Sequence, residues 1–502
     1  MKKVWKIGTR GSLLALTQCG QVKDLLTQRT GEEFELVIIK TQGDQQTDKP
    51  LWQLEGKDFF TKELDEALLK NEVDLVVHSY KDLGSDRPDG IVLGAIGERR
   101  FGHDILLIPN ENVQKLQNGE IKNLVIGTSS PRRIINLESH FSSFVPSSPT
   151  IETKMLRGNV NTRIQKLRDG NYHAIVLAMP GLERLAQVEA SKEELRPLLK
   201  DMNFAILPAS KFPWAASQGA LAVEMHDKNP EAAKIKTILA SIHHEHTEQA
   251  VKRERKAFND YGGGCHLAVG VAVMATEDRF VHSHLGKKDN IDIESLRIEP
   301  TIEKVKATKI FVGMPDEDRL MNKKPIAIDV DCSGKDLFAT SSYVFKSMKN
   351  TDKVQGLWAA GTKTWQKLAA QNHWVNGAAD SLGEQQLESF ESSALLQLMR
   401  GANFDWLILS GEDAYSGLGQ VVETYERTLN PISEDFKKDI EDTSDFFWTS
   451  IHQYSAYAKA FPTITSKRHW CGLGKTYDGF AAQKVNVIAV SGIKEFRTLT
   501  AN

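Results

Sequence analysis

Apolar and polar positions along the chain follow two alternating periods. Leu36-Val37-Ile38-Ile39 and Asp74-Leu75-Val76-Val77 are short apolar runs that predict buried strands. Phe59–Leu69 sets Phe60, Leu64, Ala67 and Leu68 on one face and predicts a helix, and Leu13–Leu26 predicts another. A strand at Leu124–Gly127 precedes a helix, and a strand at Ala174–Ala178 follows a helix through Arg163–Leu167. Such alternation predicts open α/β domains. Residues 247–259 turn Ala250, Val251, Ala257 and Phe258 to one side of a helix, and Gly262-Gly263-Gly264 stops it. The charged, weakly periodic stretch Asp289–Lys309 suits a linker or the edge of a small domain.

Beyond residue 310 the pattern repeats. Lys363-Thr364-Trp365-Gln366-Lys367-Leu368-Ala369-Ala370-Gln371 answers Lys475-Thr476-Tyr477-Asp478-Gly479-Phe480-Ala481-Ala482-Gln483. Upstream, Asp336–Ser341 answers Asp445–Ser450. Two similar α/β units in tandem are expected.

With 502 residues, several domains are expected. A net charge of -3 gives no global attraction to nucleic acid or an anionic membrane. The N-terminus Met1-Lys2-Lys3-Val4-Trp5-Lys6-Ile7 lacks the apolar core of a secretory signal, and no run reaches the roughly 20 apolar residues of a membrane span. Cys19, Cys265, Cys332 and Cys471 are dispersed, which argues against a disulfide framework or metal site and for a cytoplasmic setting.

Three arginine-bearing segments stand at helix starts. They are Arg10-Gly11-Ser12, Thr128-Ser129-Ser130-Pro131-Arg132-Arg133 with a hydroxyl cap and first-turn proline, and Arg157-Gly158-Asn159 before the helix carrying Arg163. Helix N-termini attract anions, and arginine adds bidentate donors for carboxylate or phosphate. Singly, each reads as a structural cap with a solvated arginine; together they favour a polyanionic ligand. Asp82, in His78-Ser79-Tyr80-Lys81-Asp82-Leu83, follows a buried strand where open α/β sheets bind ligands, although a turn-forming role fits it too. Three glycines leave the Cys265 thiol accessible, as a nucleophile needs.

In order, the segments Thr9–Gln18, Thr41–Asp44, Gly56–Leu64, Val77–Leu83, Gly127–Arg133, Arg157–Arg163, Gln218–Glu224 and Gly263-Gly264-Cys265 make the stretch 4–285 closely resemble the hydroxymethylbilane synthase (porphobilinogen deaminase) family. The resemblance implies two periplasmic-binding-protein-like lobes, 1–100 with 204–226 and 101–203, and a small α+β cofactor domain at 227–305. It implies a transferase of tetrapyrrole and heme biosynthesis that condenses four porphobilinogen molecules, with loss of ammonia, on a dipyrromethane held by Cys265. Asp82 would be the catalytic carboxylate. Asp82 with Lys81, Ser129, Arg132, Arg133 and Arg157 would also bind the cofactor, and Arg10, Ser12, Gln18 and Arg163 the substrate. No metal is implied, and a cytoplasmic monomer is expected. Departures from the family pattern are Asp58, Gly84, Pro131, the lead Phe212–Ser217, and His266-Leu267-Ala268 after the cysteine. Residues 306–502 resemble uroporphyrinogen-III synthase in their paired Thr340-Ser341 and Thr449-Ser450, in the turns before Thr364 and Thr476, in the strand end Leu407–Glu412 and, as a site residue, in Tyr477. That resemblance implies a bifunctional fusion, the alternative being an inert module. An anion-gripping sensor without catalysis is the rival for the whole chain.

Overall fold

The computed structural model describes residues 3–41, 61–84, 86–264, 266–276, 278–315, 317–348 and 353–501. Cys265, Phe59, Phe60 and the motif residues 42–44 and 56–60 fall outside the described residues.

The apolar runs become strands of two five-stranded sheets. The first, lobe 1, starts with β1 (Val4–Thr9), β2 (Glu33–Ile38), β3 (Leu75–Ser79) and β4 (Ile91–Ile96). The chain crosses to lobe 2 for β5 (Asp104–Pro109), β6 (Asn123–Gly127), β7 (Thr150–Lys154), β8 (Ala174–Ala178) and β9 (Met202–Ile206), then returns to lobe 1 as β10 (Leu221–His226). Strand orders are β2-β1-β3-β10-β4 and β7-β6-β8-β5-β9. Each sheet thus has a parallel trio flanked by an antiparallel strand, and that strand is the first one after a crossing. One plan is used twice, consistent with periplasmic-binding-protein-like lobes. β3 and β8 are nearly continuous apolar runs because helices cover both faces.

Local sequence sets the helix ends. Ser12 caps Leu13–Thr30 by accepting from the Ala15 N–H at 3.3 Å, and Gly31 ends it at φ 66°. Asn159 caps Val160–Arg168 through the Thr162 N–H at 2.9 Å. Pro131 begins Pro131–His140 as expected, but Ser130 makes no side-chain cap. The neighbouring Ser129 hydroxyl instead ties to the Leu156 carbonyl (2.9 Å) and N–H (3.0 Å).

Two expected boundaries shift. β9 pairs with β5, so residues 204–206 lie in the second sheet rather than the first. The helix Ala232–Ala240 packs Ile235, Ile238 and Leu239 into the lobe 1 core with Trp5, Ile7 and Val223. Domain 3 therefore begins at the helix Glu245–Asp260, which covers β11 (Ala268–Ala275), β12 (Phe280–Lys288) and β13 (Ile291–Glu299). The stretch read as a linker or the edge of a small domain contains β13, the edge strand of the three-stranded sheet, whose largely half-buried residues blur its period. On the domain 3 helix, Ala250 and Val251 are buried as expected, Ala257 and Phe258 half-buried, and an acid, Glu254, is as fully buried as Val251.

The C-terminal half holds two sheets. β14 (Ile310–Val312) belongs to a four-stranded parallel sheet completed by β21 (Asp445–Trp448), β22 (Arg468–Cys471) and β23 (Ile488–Ala489). Between them the chain builds a six-stranded sheet from β15 (Met321–Pro325), β16 (Asp336–Ala339), β17 (Gly356–Ala359), β18 (Gly377–Ala378), β19 (Trp406–Gly411) and β20 (Gln420–Leu429), ordered β15-β20-β19-β16-β17-β18. One unit is thus nested inside the other. Equivalent details recur. Asp336 accepts the Trp358 indole N–H at 3.4 Å, and Asp445 accepts that of Trp470 at 3.0 Å. Ser341 and Ser450, both at φ -156°, each accept from the N–H two residues on.

The six-stranded sheet abuts lobe 2 edge to edge: the Ile206 N–H donates to the Asn376 carbonyl at 2.8 Å. Phe141, Phe144 and Phe212 share a core with Trp365, while Phe101 and Ile105 share another with Trp358 and Phe390. Each buried aromatic side chain contributes on the order of 1.5–3 kcal/mol. The four-stranded unit meets domain 3 through Ser491 to the Leu296 carbonyl (2.8 Å) and Lys494 to Glu294 (2.8 Å).

Candidate functional site: a cleft between the lobes

β3 ends in a single helical turn, Tyr80–Asp82, which presents Lys81 and Asp82 at the carboxyl edge of the sheet. The turn is held from behind. The Tyr80 N–H donates to the Ala220 carbonyl at 3.0 Å, and Arg255 of domain 3 donates to the Tyr80 and Leu83 carbonyls at 3.3 and 3.1 Å. Leu83 is buried while Lys81 and Asp82 are exposed, so the turn is anchored by its ends and offers its charged middle.

Lys81 is accessible to solvent yet walled in by protein, as in a cleft. Enclosure depresses its ammonium pKa; Asp82 and Asp104 pull it up, and Arg133 and Arg132 push it down. The ammonium donates to Gln218 Oε1 at 3.3 Å.

On lobe 2, Arg132 and Arg133 converge on Asp104, the first residue of β5, which sequence reading did not single out. Arg132 Nη1 lies 2.8 Å from Oδ2, Arg133 Nε 3.1 Å from Oδ2 and Arg133 Nη2 2.7 Å from Oδ1. Gln218 Nε2 adds a fourth bond, 2.8 Å to Oδ1. Burial alone would raise the Asp104 pKa, but the two guanidinium groups override it and hold the carboxyl well below the usual range. One carboxylate faces two guanidinium groups, so the cluster keeps a positive charge. Arg133 spends its remaining Nη1 on the Val176 carbonyl at 3.0 Å, whereas Arg132, which also donates to the Pro213 carbonyl, has Nε and Nη2 uncommitted among the described residues.

Arg157 and Arg163 continue the positive wall. Among the described residues the Arg157 guanidinium makes no hydrogen bond or ion pair, and Arg163 donates only to the Gly158 carbonyl, at 2.7 Å. Burial, then repulsion from Arg133 and Arg157, lowers the Arg163 pKa to about 10. It stays protonated at neutral pH, in a field that an anion would relieve. Arg184 of lobe 2, which its sequence context did not single out, reaches the segment that carries Gln218. It reaches the Gly219 carbonyl at 2.6 Å, and burial lowers its pKa to about 10.

Several expected site residues serve the scaffold here. Gln18 is buried and exchanges hydrogen bonds with Ser79 at 3.0 and 3.2 Å. Ser12 caps its helix, and Ser129 holds the strand end at Leu156. Arg10 is half-buried at the end of β1. His78, Asp65 and Glu224 lie within metal-ligand spacing of one another, but Arg87 fills the cluster, donating to Asp65 at 2.5 Å and to Glu224 at 2.8 and 2.7 Å. In the C-terminal half, the Tyr477 hydroxyl accepts from Arg279 of domain 3 at 2.9 Å. Cys19, Cys332 and Cys471 are buried free thiols, and burial raises Cys19 to about 11 and Cys471 to about 12. No helix among the described residues is long and apolar enough to cross a membrane.

Two lobes of one plan, with the Lys81–Asp82 turn of one linked through Gln218 to the Asp104–Arg132–Arg133 cluster of the other, define a two-lobed α/β protein. Residues 5–234 match the family model described as porphobilinogen deaminase, dipyromethane cofactor binding domain. A probable porphobilinogen deaminase of Methanocella arvoryzae is 39% identical over 274 residues, 54% of this chain and 81% of that protein. The porphobilinogen deaminase of Streptococcus sanguinis is 38% identical over 291 residues, 57% of this chain and 88% of that protein. A probable porphobilinogen deaminase of Methanocaldococcus jannaschii is 40% identical over 272 residues, 54% and 83% of the two chains. The chain belongs to the porphobilinogen deaminase family, and it carries that family's dipyrromethane cofactor-binding domain.

Proposed function

We propose that the chain is a hydroxymethylbilane synthase, joining four porphobilinogen molecules head to tail with loss of ammonia and releasing the linear tetrapyrrole by hydrolysis. The cation surplus facing Asp82 carries this reading. Pyrroles bearing acetate and propionate side chains supply the many carboxylates that Arg157, Arg163 and Arg132 would bind. The residues fit a dipyrromethane, which when bound through Cys265 supplies the chain end that grows. Asp82 lies where a fixed anion would stabilise the cation left as porphobilinogen loses ammonia, and the enclosed cleft strengthens that attraction. Lys81 lies beside Asp82, whose charge favours the protonated amine. Arg132 keeps two donors for a ligand carboxylate, and Asp104 fixes the direction in which they point.

Asp82→Asn keeps the shape and removes the charge. Turnover of the purified variant is expected to fall by at least ~10²-fold with the Cys265 adduct retained; near-normal turnover would exclude the role.

For residues 306–502 the reading is uroporphyrinogen-III synthase, closing the tetrapyrrole to the type III isomer. The twice-used strand plan and the paired Thr-Ser strand ends support it. Tethering would favour capture of a labile product through effective concentration. The extensive weld to lobe 2 favours a second reading, a module that supports the deaminase without chemistry. Isomer analysis of the product from porphobilinogen alone decides: type III supports the synthase, type I the inert module.

A further inference from the structure

Gln218 belongs to a motif that the roles above leave unused, and it stands where the two crossings meet. At Gly219, φ is 89° and an added Cβ would lie 1.9 Å from the Phe101 carbonyl oxygen, so only glycine lets residues 207–220 run this close to residues 97–103. On the other side Ser217, fully buried, is held at φ 64°, its N–H donating to Glu254 at 2.7 Å. A positive φ is unusual for a non-glycine residue and persists only where surroundings impose it. This backbone delivers one side chain, Gln218, into the joint, where it is 1% exposed.

Its amide is fully committed. Nε2 donates to the Gly102 carbonyl and to Asp104 Oδ1, both at 2.8 Å, and Oε1 accepts from Lys81 Nζ at 3.3 Å. Chemistry fixes the orientation. A flipped amide would set N–H groups against an ammonium and an oxygen against a carboxylate and a carbonyl. No other side chain of this size offers donors to one partner and an acceptor to the other. Glutamate would oppose Asp104 carboxylate to carboxylate, and leucine would abandon all three partners.

We propose that Gln218 is the positioning residue that couples the two walls of the cleft, holding Lys81 beside Asp82 on lobe 1 in register with Asp104, and so with the Arg132–Arg133 pair, on lobe 2. The coupling deepens the proposed deaminase reading and rests on it for its purpose: carboxylates gripped by the arginines are kept at a set distance from Asp82 as the chain grows. The charged groups facing Lys81 are Asp82 on its own turn and Asp104, Arg132 and Arg133 across the cleft. Against them Gln218 contributes a neutral acceptor that favours the protonated amine.

The test is the titration midpoint of Lys81, read by NMR after reductive 13C-methylation of the full-length protein, with Lys81→Arg assigning the signal. Gln218→Leu removes the acceptor, and the midpoint is expected to fall by about one pH unit, with turnover down about tenfold. Gln218→Glu keeps the shape and adds a negative charge, and the midpoint is expected to rise. Opposite shifts support the coupling. A midpoint unchanged in Gln218→Glu, or moved the same way in both variants, overturns it. If Gln218→Leu does not fold, the direction of the Gln218→Glu shift decides alone. Intact mass of the wild-type protein judges the dipyrromethane reading separately, because Lys81 titrates whether or not Cys265 is loaded.

Discussion

Lobe 1 and lobe 2 share a strand order but build their cleft faces by opposite means. Lobe 1 sets Lys81 and Asp82 on an exposed turn, side by side, and anchors the backbone around them. Lobe 2 buries Asp104 at 1% exposure beneath Arg132 and Arg133 and spends most of their donors on keeping them in place. The lobes also differ in their neighbours. Hydrogen bonds from the C-terminal half to the rest of the described residues run to lobe 2, the interlobe segments and domain 3. Asp380 takes the Ser210 N–H at 2.8 Å, and Arg100 reaches Ser392 and Ser389. Lobe 2 is thus the more extensively braced wall, and under the proposed function lobe 1 carries the residues that meet the changing chemistry.

The largest expected effect falls on the more braced wall. Asp104→Asn leaves two guanidinium groups buried beside a neutral amide and should cost roughly 3–5 kcal/mol in urea unfolding. The matching lobe 1 change, Asp82→Asn, should stay within about 0.5 kcal/mol because the group is exposed; equal losses would erase the contrast between the lobes. Glu183→Ala comes next. This carboxylate accepts from the Ser393 hydroxyl at 2.6 Å and from the N–H groups of Ala394 and Leu395 at 3.0 and 3.1 Å, capping a C-terminal helix from lobe 2. Its loss should cost about 2–3 kcal/mol, and calorimetry should show the two halves melting apart where the wild type melts together.

Acid should act at the same junction. His103, packed against Trp214 and Phe390, has its pKa lowered to about 4 by burial, despite the pull of Asp104. The unfolded chain takes up this proton near pH 6.5 and the folded one does not, so the stability is complete above 6.5 and declines as pH falls toward 4. By pH 5 the loss is about 2 kcal/mol for this histidine, and His103→Asn should flatten that part of a melting-temperature profile. The smallest effect is expected for Asp380→Asn, about 1 kcal/mol. Hydrogen exchange should quicken at residues 207–212 and stay unchanged in β1 and β3; quickening in lobe 1 instead would contradict the division into more and less braced walls.

Much of this was legible in the chain. The strands at 36–38, 75–77, 124–127 and 174–178 follow from apolar runs, and the repeat pairing residues 363–371 with 475–483 marks equivalent helices, Thr362–Ala369 and Lys475–Ala482. What stayed hidden depends on distant partners. Asp104 precedes the apolar run Ile105–Ile108 and looks like any strand-start acid until the helix start at Arg132 folds onto it. Glu254 lies on the inner face of a helix where an apolar residue is expected. Its four neighbours, Arg99, Trp214, Ser217 and Val273, come from three other segments. Ser130 resembles a cap, yet the neighbouring Ser129 is tied to the strand end at Leu156, a partner that only the fold supplies. The boundaries at 204 and 227 slipped because β9 and the helix at 232–240 choose their sheet by tertiary packing.

The central claim, that this cleft builds pyrrole chains from a cofactor on Cys265, is tested most directly by intact-protein mass spectrometry of the purified chain and its Cys265→Ala variant. The account predicts a mass excess equal to one thioether-linked dipyrromethane on the wild type, extended stepwise when porphobilinogen is added, and none on the variant. An unmodified wild-type chain that stays unmodified after incubation with porphobilinogen would contradict it.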